Sequence, residues 1–271
     1  MKLRVFTYCL ALKYWLYLQI LKNEIKMKMK KYLSLLLLLT FLTTTYGQKK
    51  KVAVVTFYAN KMVEFKELGI GSEELIKDVL DLRDNPNFNL APLLEQFHSN
   101  FFNEYATAFP FELLPESSVV DTEKYQNFEP KYDLSNYEAN NYLNYGNYKY
   151  IYEGFAGKYN EEGMAKLFAE EADGVMFVYI DFAFEKGFGV GKTMSIKMRA
   201  TTRMALYNKK GEKVFAFSES ERSKKTGVMV GGVPVVKPEK ILPMCESALE
   251  ELMGDLKKRL TKIISKTDKK L

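Results

Sequence analysis

The sequence predicts a single α/β domain: a mixed or antiparallel sheet with a long β-hairpin, helices packed on it, and a C-terminal helix. Three observations carry that prediction. Residues 51–58 (Lys-Val-Ala-Val-Val-Thr-Phe-Tyr) are a short β-branched run of the kind that forms a buried strand. Residues 194–207 alternate almost without error. Met194, Ile196, Met198, Ala200, Thr202, Met204 and Leu206 point one way; Ser195, Lys197, Arg199, Thr201, Arg203, Ala205 and Tyr207 point the other. After a turn at 208–211, residues 213–223 return as the second arm of a hairpin. From Pro238 to about Lys266, a stripe of Ile241, Cys245, Ala248, Leu249, Leu252, Leu256, Leu260 and Ile263 has helical spacing. Its Lys-rich end suits the negative pole of a helix.

The leader precedes these elements. A basic stretch, Lys28-Met29-Lys30-Lys31, leads into an apolar run from Leu33 to Leu42, and Thr43 to Gly47 are small or polar. Residues 27–47 therefore read as a secretory signal peptide, with cleavage near Gly47 and Gln48. The run is too short for a bilayer span of roughly 20 residues. Residues 1–26 read as a spurious extension or an amphipathic one carrying Trp15. The expected compartment is periplasmic or secreted.

Charge follows the same division. The chain of 271 residues has a net charge of +6. Taking the eight Lys/Arg and one acid of residues 1–47 from the 40 and 34 of the whole leaves 32 against 33. The basicity belongs to the leader, which argues against a nucleic-acid partner. About 220 residues then remain to bury one core.

Along the remaining chain, Ser72 can cap a helix over 72–83 with Leu75, Val79 and Leu82 on one face. A turn around Pro86 follows, then a helix from about 90 to 108 with Leu90, Leu94, Phe97, Phe101 and Tyr105 as its stripe. Pro110 ends it, and 111–114 is a candidate second strand. Residues 121–160 are rich in Asn and Tyr, with little aliphatic content. Two readings stay open there: a long excursion over the surface, or a weak helical insert. Residues 164–171 form a short amphipathic helix, Ala172-Asp173-Gly174 turns the chain, and 175–184 is apolar on both faces, hence a central strand.

This order of elements resembles the curli secretion-channel lipoprotein group and the related TolB amino-terminal domains. The likeness rests on a first strand at Val52 to Phe57 and a second at Phe111 to Leu114. It continues through the Ala-Asp-hydrophobic step at 172–175, the hairpin turning at Gly211, and a final helix. It touches about two-thirds of the mature chain. Two departures stand out: no Cys follows the signal for lipidation, and 121–160 has no counterpart. The resemblance implies an α/β module used for binding and assembly; membrane anchoring and pore formation do not carry over.

Several motifs invite a chemical reading. Gly-Phe-Gly-Val-Gly-Lys-Thr at 187–193 looks like a phosphate loop, but Lys186 stands where the first Gly belongs. Met194 also opens a period-two strand instead of a helix, so the stretch is a hairpin connection. His98 is the sole histidine, which rules out a multi-His metal site and leaves any His-dependent nucleophile to that one residue. It sits at the edge of a helical apolar stripe, and Cys245 within another, so both read as packing residues. Asp78, Asp81 and Asp84 lie near one helix end without the Gly of a calcium loop. Asp181, inside an otherwise apolar strand, is the acid that stands out as a polar site. No cofactor or metal motif is present.

The hairpin supplies the best constellation. A four-residue turn at 208–211 would pair Tyr207 with Glu212, Met204 with Phe215 and Thr202 with Phe217. One face would then collect Lys197, Arg199, Thr201, Arg203, Ser218, Ser220 and Arg222 with no local counter-charge, unless a helix bearing Glu246 and Glu250 covers it. That face is the candidate binding surface for an envelope protein, a glycan or a lipid headgroup. The apolar run at 227–236 reads as an edge strand or a patch that docks a neighbouring subunit, so a homo-oligomer is possible. Expected overall is a non-enzymatic envelope binding or assembly factor. The alternative is a secreted hydrolase using carboxylates near Asp181 or in 121–160. A surface pore subunit is disfavoured by the charges on the hairpin.

Overall fold

The β-branched run at 51–58 forms β1 (Lys51–Asn60), with Val52 to Phe57 almost wholly buried. The computed structural model describes residues 49–68, 82–83, 85–131, 141–154, 158–191 and 193–264, with Lys26 and Leu271. The leader and all but the last two residues of the helix expected at 72–83 lie outside the described residues.

After β1 and a 3₁₀ turn (Lys66–Leu68) comes α1 (Ala91–Asn103). Its start is specified locally: the Asn89 side chain accepts the Ala91 N–H at 2.9 Å, and Pro92 occupies the first turn, where a missing N–H costs nothing. A 3₁₀ segment (Tyr105–Ala108) leads to β2 (Glu112–Leu113), which is parallel to β1. Short helices α2 (Ser117–Val120) and α3 (Glu123–Gln126) follow, then β3 (Tyr142–Asn144), antiparallel to the end of β1, and α4 (Tyr159–Leu167).

The chain then runs through three long antiparallel strands, β4 (Gly174–Val190), β5 (Thr193–Asn208) and β6 (Lys213–Val230). A two-residue strand β7 (Val233–Pro234) and α5 (Pro238–Ile264) complete it. Among the described residues the sheet has seven strands in the order β2-β1-β4-β5-β6-β7, with β3 on β1. The α/β fold with a mixed sheet, long hairpin and C-terminal helix is the one the sequence predicts.

The sheet has two unlike faces. On one, Met176, Val178, Ile180, Phe182 and Phe184 of β4 and Met198, Ala200, Met204 and Leu206 of β5 are fully buried. Helix α5 covers β5 and β6 there through Ile241, Cys245, Leu249, Leu252, Leu256 and Leu260, and α1 packs on β1. Phe57 anchors the second contact, with ring centroids 5.6 Å from Phe97 and 5.5 Å from Phe101. The opposite face carries the odd residues of β4 and β5 and is partly covered by α4 and the segments around it.

The hairpin register differs from the expectation by two residues. Tyr207 lies opposite Lys213, a bulge follows, and Leu206 then faces Phe215, Met204 faces Phe217 and Thr202 faces Glu219. Asn208 causes this. Its side-chain oxygen accepts N–H groups of Lys210 and Glu212 at 3.0 Å each, and its own N–H donates to the Glu212 carbonyl at 2.9 Å. The turn thereby takes in Glu212, with Gly211 in the left-handed region at φ 75°. An even-numbered slip leaves every side chain on its expected face.

The described part of 121–160 is tied into the sheet. The register of β1 against β4 shifts between Val54 and Thr56, and the Val55 carbonyl accepts the buried Tyr125 hydroxyl at 2.9 Å. Tyr125 in turn accepts the Lys149 N–H, and the Thr56 hydroxyl donates to the Lys149 carbonyl. An irregularity that would strand a buried carbonyl is thus satisfied by a tyrosine from this segment.

Candidate functional site

The odd positions of β4 and β5 and the even positions of β6 build the polar face row by row. Tyr58 lies beside Tyr179, Arg203 and Ser218; Asp181 beside Thr201 and Ser220; Ala183 beside Arg199 and Arg222; Glu185 beside Lys197. The seven hairpin residues and Asp181 therefore share one face. Ser218, Ser220 and Arg222 are exposed, and Lys197, Arg199, Thr201 and Arg203 are half-buried. The Thr201 and Ser220 hydroxyls are 3.2 Å apart.

The face is not an unopposed cationic surface. Helix α5, with Glu246 and Glu250, lies on the other side of the sheet, where Arg259 pairs with Glu219. The counter-charges come from elsewhere. Arg203 makes a bidentate contact with Glu153, Nε at 2.7 Å and Nη2 at 3.0 Å, and the buried Tyr207 hydroxyl donates to the same carboxylate. Arg199 and Arg222 both donate to the buried Glu185, and Arg199 reaches Glu67 as well. Sequence reasoning missed Glu153 and Glu67 because they are distant along the chain: Glu153 is 50 residues from Arg203 and Glu67 is 132 from Arg199. Glu185 had a signal, since it shares the odd positions of β4 with Tyr179 and Asp181, a polar series broken by Ala183.

Glu153 is ionised in this setting. Burial raises its pKa, but hydrogen bonds from Arg203 and Tyr207, with the charges of Arg203 and Lys213, outweigh burial and lower it. Asp181 goes the opposite way. Burial and the nearby Glu64 carboxylate push it up to about 6, against the pull of Arg199 and a hydrogen bond with Thr201. Beside it lies a tyrosine cluster: Tyr58 is stacked on Tyr179 with centroids 5.1 Å apart, and Tyr142 on Tyr150 at 3.9 Å.

The remaining candidates are structural in their contacts. Asp173 accepts the Lys51 N–H at 3.0 Å and is flanked by Lys209 and Lys50, which locks the start of β1 to the turn before β4. His98 is buried, stacked on Tyr145 at 3.6 Å, with Nε2 2.8 Å from Glu116. Cys245 is completely buried, and burial pushes its thiol well above the ordinary range. In the glycine-rich stretch, residues 187–190 end β4, Gly191 is a turn residue at φ 63° and Thr193 opens β5. Among the described residues no cluster of His, Cys, Asp and Glu could hold a metal ion, and no helix is long and apolar enough to cross a membrane.

No protein-family model matches the chain, and no curated protein matches it. Solved structures to which the chain shows a likeness include the lipoprotein GNA1162 from Neisseria meningitidis, at 12% identity and a TM-score of 0.26. That likeness covers 76% of this chain and 99% of the other. A second is a neuraminyllactose-binding hemagglutinin homolog from Helicobacter pylori, at 12% identity and a TM-score of 0.30, covering 82% of this chain and 90% of the other. Likeness at this level bears on neither fold, ligand nor partner.

Proposed function

We propose that the protein is an exported envelope factor that works by contact with a partner and turns over no substrate. The observation that carries this reading is the far end of the long strands, where apolar side chains stand in solvent: Phe188 is 88% exposed and Val190 81% exposed. Exposed apolar groups gathered at one place mark an interaction surface. The order of elements, which resembles the curli secretion-channel and TolB amino-terminal group, and the signal-like leader support the same reading. The exposed hydroxyls of Ser218 and Ser220 next to Arg222 offer a second, polar contact strip suited to a protein or glycan.

A secreted hydrolase is the second reading, favoured by one observation: Asp181 is partly buried, lies near Glu64, and has a pKa raised to about 6, where a carboxyl can serve as a general acid. The two readings separate in a turnover assay of the full chain on chromogenic ester, phosphoester, glycoside and peptide substrates. The contact reading expects no hydrolysis that depends on Asp181. Turnover that Asp181→Asn abolishes and Phe188→Ser leaves intact would overturn it in favour of the hydrolase.

A further inference from the structure

We infer that the apolar end of the strands is a docking point for an anionic lipid surface; the inference rests on the contact reading above and names its partner. Two turns lie side by side there. The β4–β5 turn at Gly191 brings up Phe188 and Val190, and the β6–β7 turn at Gly231 and Gly232 brings up Val228, Val230 and Val235. They are adjacent because Met194 pairs with Met229 and Ser195 with Val228. Val235 is 66% exposed, and Val228 and Val230 are about half exposed. Core packing explains none of these positions. The core is served there by their neighbours Ile196, Met229 and Val236, which are buried.

Charge identifies the occupant. Residues 186–197 and 222–238, the two stretches that build this end, contain seven Lys and Arg and no Asp or Glu. Lys186, Lys225 and Lys237 among them are exposed. Two members of this collar are neutralised from outside it, Lys224 by Glu251 and Arg222 by Glu185. The region nevertheless departs from residues 48–271 as a whole, where acids and bases nearly balance. Exposed apolar side chains carried on stretches rich in exposed lysines match the boundary of an anionic bilayer, where the side chains enter the acyl region and the ammonium groups remain among headgroups. A second copy docked end to end would set two lysine collars against each other, which like charges oppose. The ladder at this end is closed in part by β7, which pairs with β6 at Met229 and Val230. Backbone groups paired in this way can approach lipid without leaving hydrogen bonds unmade.

The test is co-sedimentation of the full chain with vesicles of phosphatidylcholine alone and of phosphatidylcholine with about a third phosphatidylglycerol, a charge density that attracts lysine-rich surfaces. Binding is expected to the anionic vesicles and to weaken as salt is raised. Phe188→Ser with Val190→Ser should lower the partition coefficient by about tenfold or more. Lys186→Gln with Lys225→Gln and Lys237→Gln should remove the preference for anionic lipid. The leader is common to every variant, so differences between variants report the strand end. These positions are exposed, so unchanged thermal unfolding of the variants checks that the fold is kept. Equal binding by the wild type and the Phe188/Val190 variant overturns the inference, as does an absence of binding. If the wild type ignores vesicles but forms an oligomer that the same variant disperses, the lipid inference falls and the contact reading stands. If it shows neither behaviour, both fall.

Discussion

Removing the guanidinium of Arg203 would leave the Glu153 carboxylate buried with only the Tyr207 hydroxyl and a more distant Lys213. Arg203→Ser is therefore expected to cost on the order of 3 kcal/mol at neutral pH, measured by urea unfolding, because one partner of a buried pair is lost. As Glu153 has a lowered folded pKa, the stability it contributes is present above its unfolded value and is lost as pH falls through the folded one. The cost of Arg203→Ser should shrink in acid accordingly. Asp181 reverses the sign. Its folded pKa, about 6, lies above the ordinary value of 3.8, so its contribution is fully present below the unfolded pKa and is lost as pH rises through 6. Asp181→Asn should stabilise the protein at pH 8 by on the order of 1–3 kcal/mol and change it little in acid, as urea midpoints at several pH values would show.

At the scale of elements, α5 is the clearest test of the packing. Cys245 lies in its apolar stripe with Ala248, Leu249 and Leu252, all fully buried against the sheet. A thiol so placed should react with an alkylating reagent only when the helix leaves the sheet. Mass spectrometry of the Cys245 peptide should show protection under native conditions and rapid labelling in urea. Labelling at the rate of a free thiol in native buffer would mean that α5 is not held as described. This helix was legible in the sequence because its stripe repeats over many turns, and β5 because its alternation runs through 194–207. The hairpin register was not legible. It depends on Asn208 gathering two N–H groups and enlarging the turn, a local competition that the residue types alone leave open.

For the whole molecule, the sheet separates two kinds of surface. One face is buried under α1 and α5; the other is a lattice of arginines, carboxylates and tyrosines, and the strands end in an exposed apolar tip. The α/β fold, the long hairpin, the final helix and the set of hairpin residues on the polar face were all legible in the order of residues, because each follows from a periodicity within one element. What that face carries depends on the folded chain. Glu67 from the turn after β1, Glu153 from the segment before α4 and Glu185 from β4 reach Arg199, Arg203 and Arg222. The Glu67 and Glu153 pairings depend on chain crossings that no local pattern encodes. The tip was decided the same way: its apolar residues are visible as two separate runs, but only the pairing of β5 with β6 sets them side by side, because register is a property of two strands together.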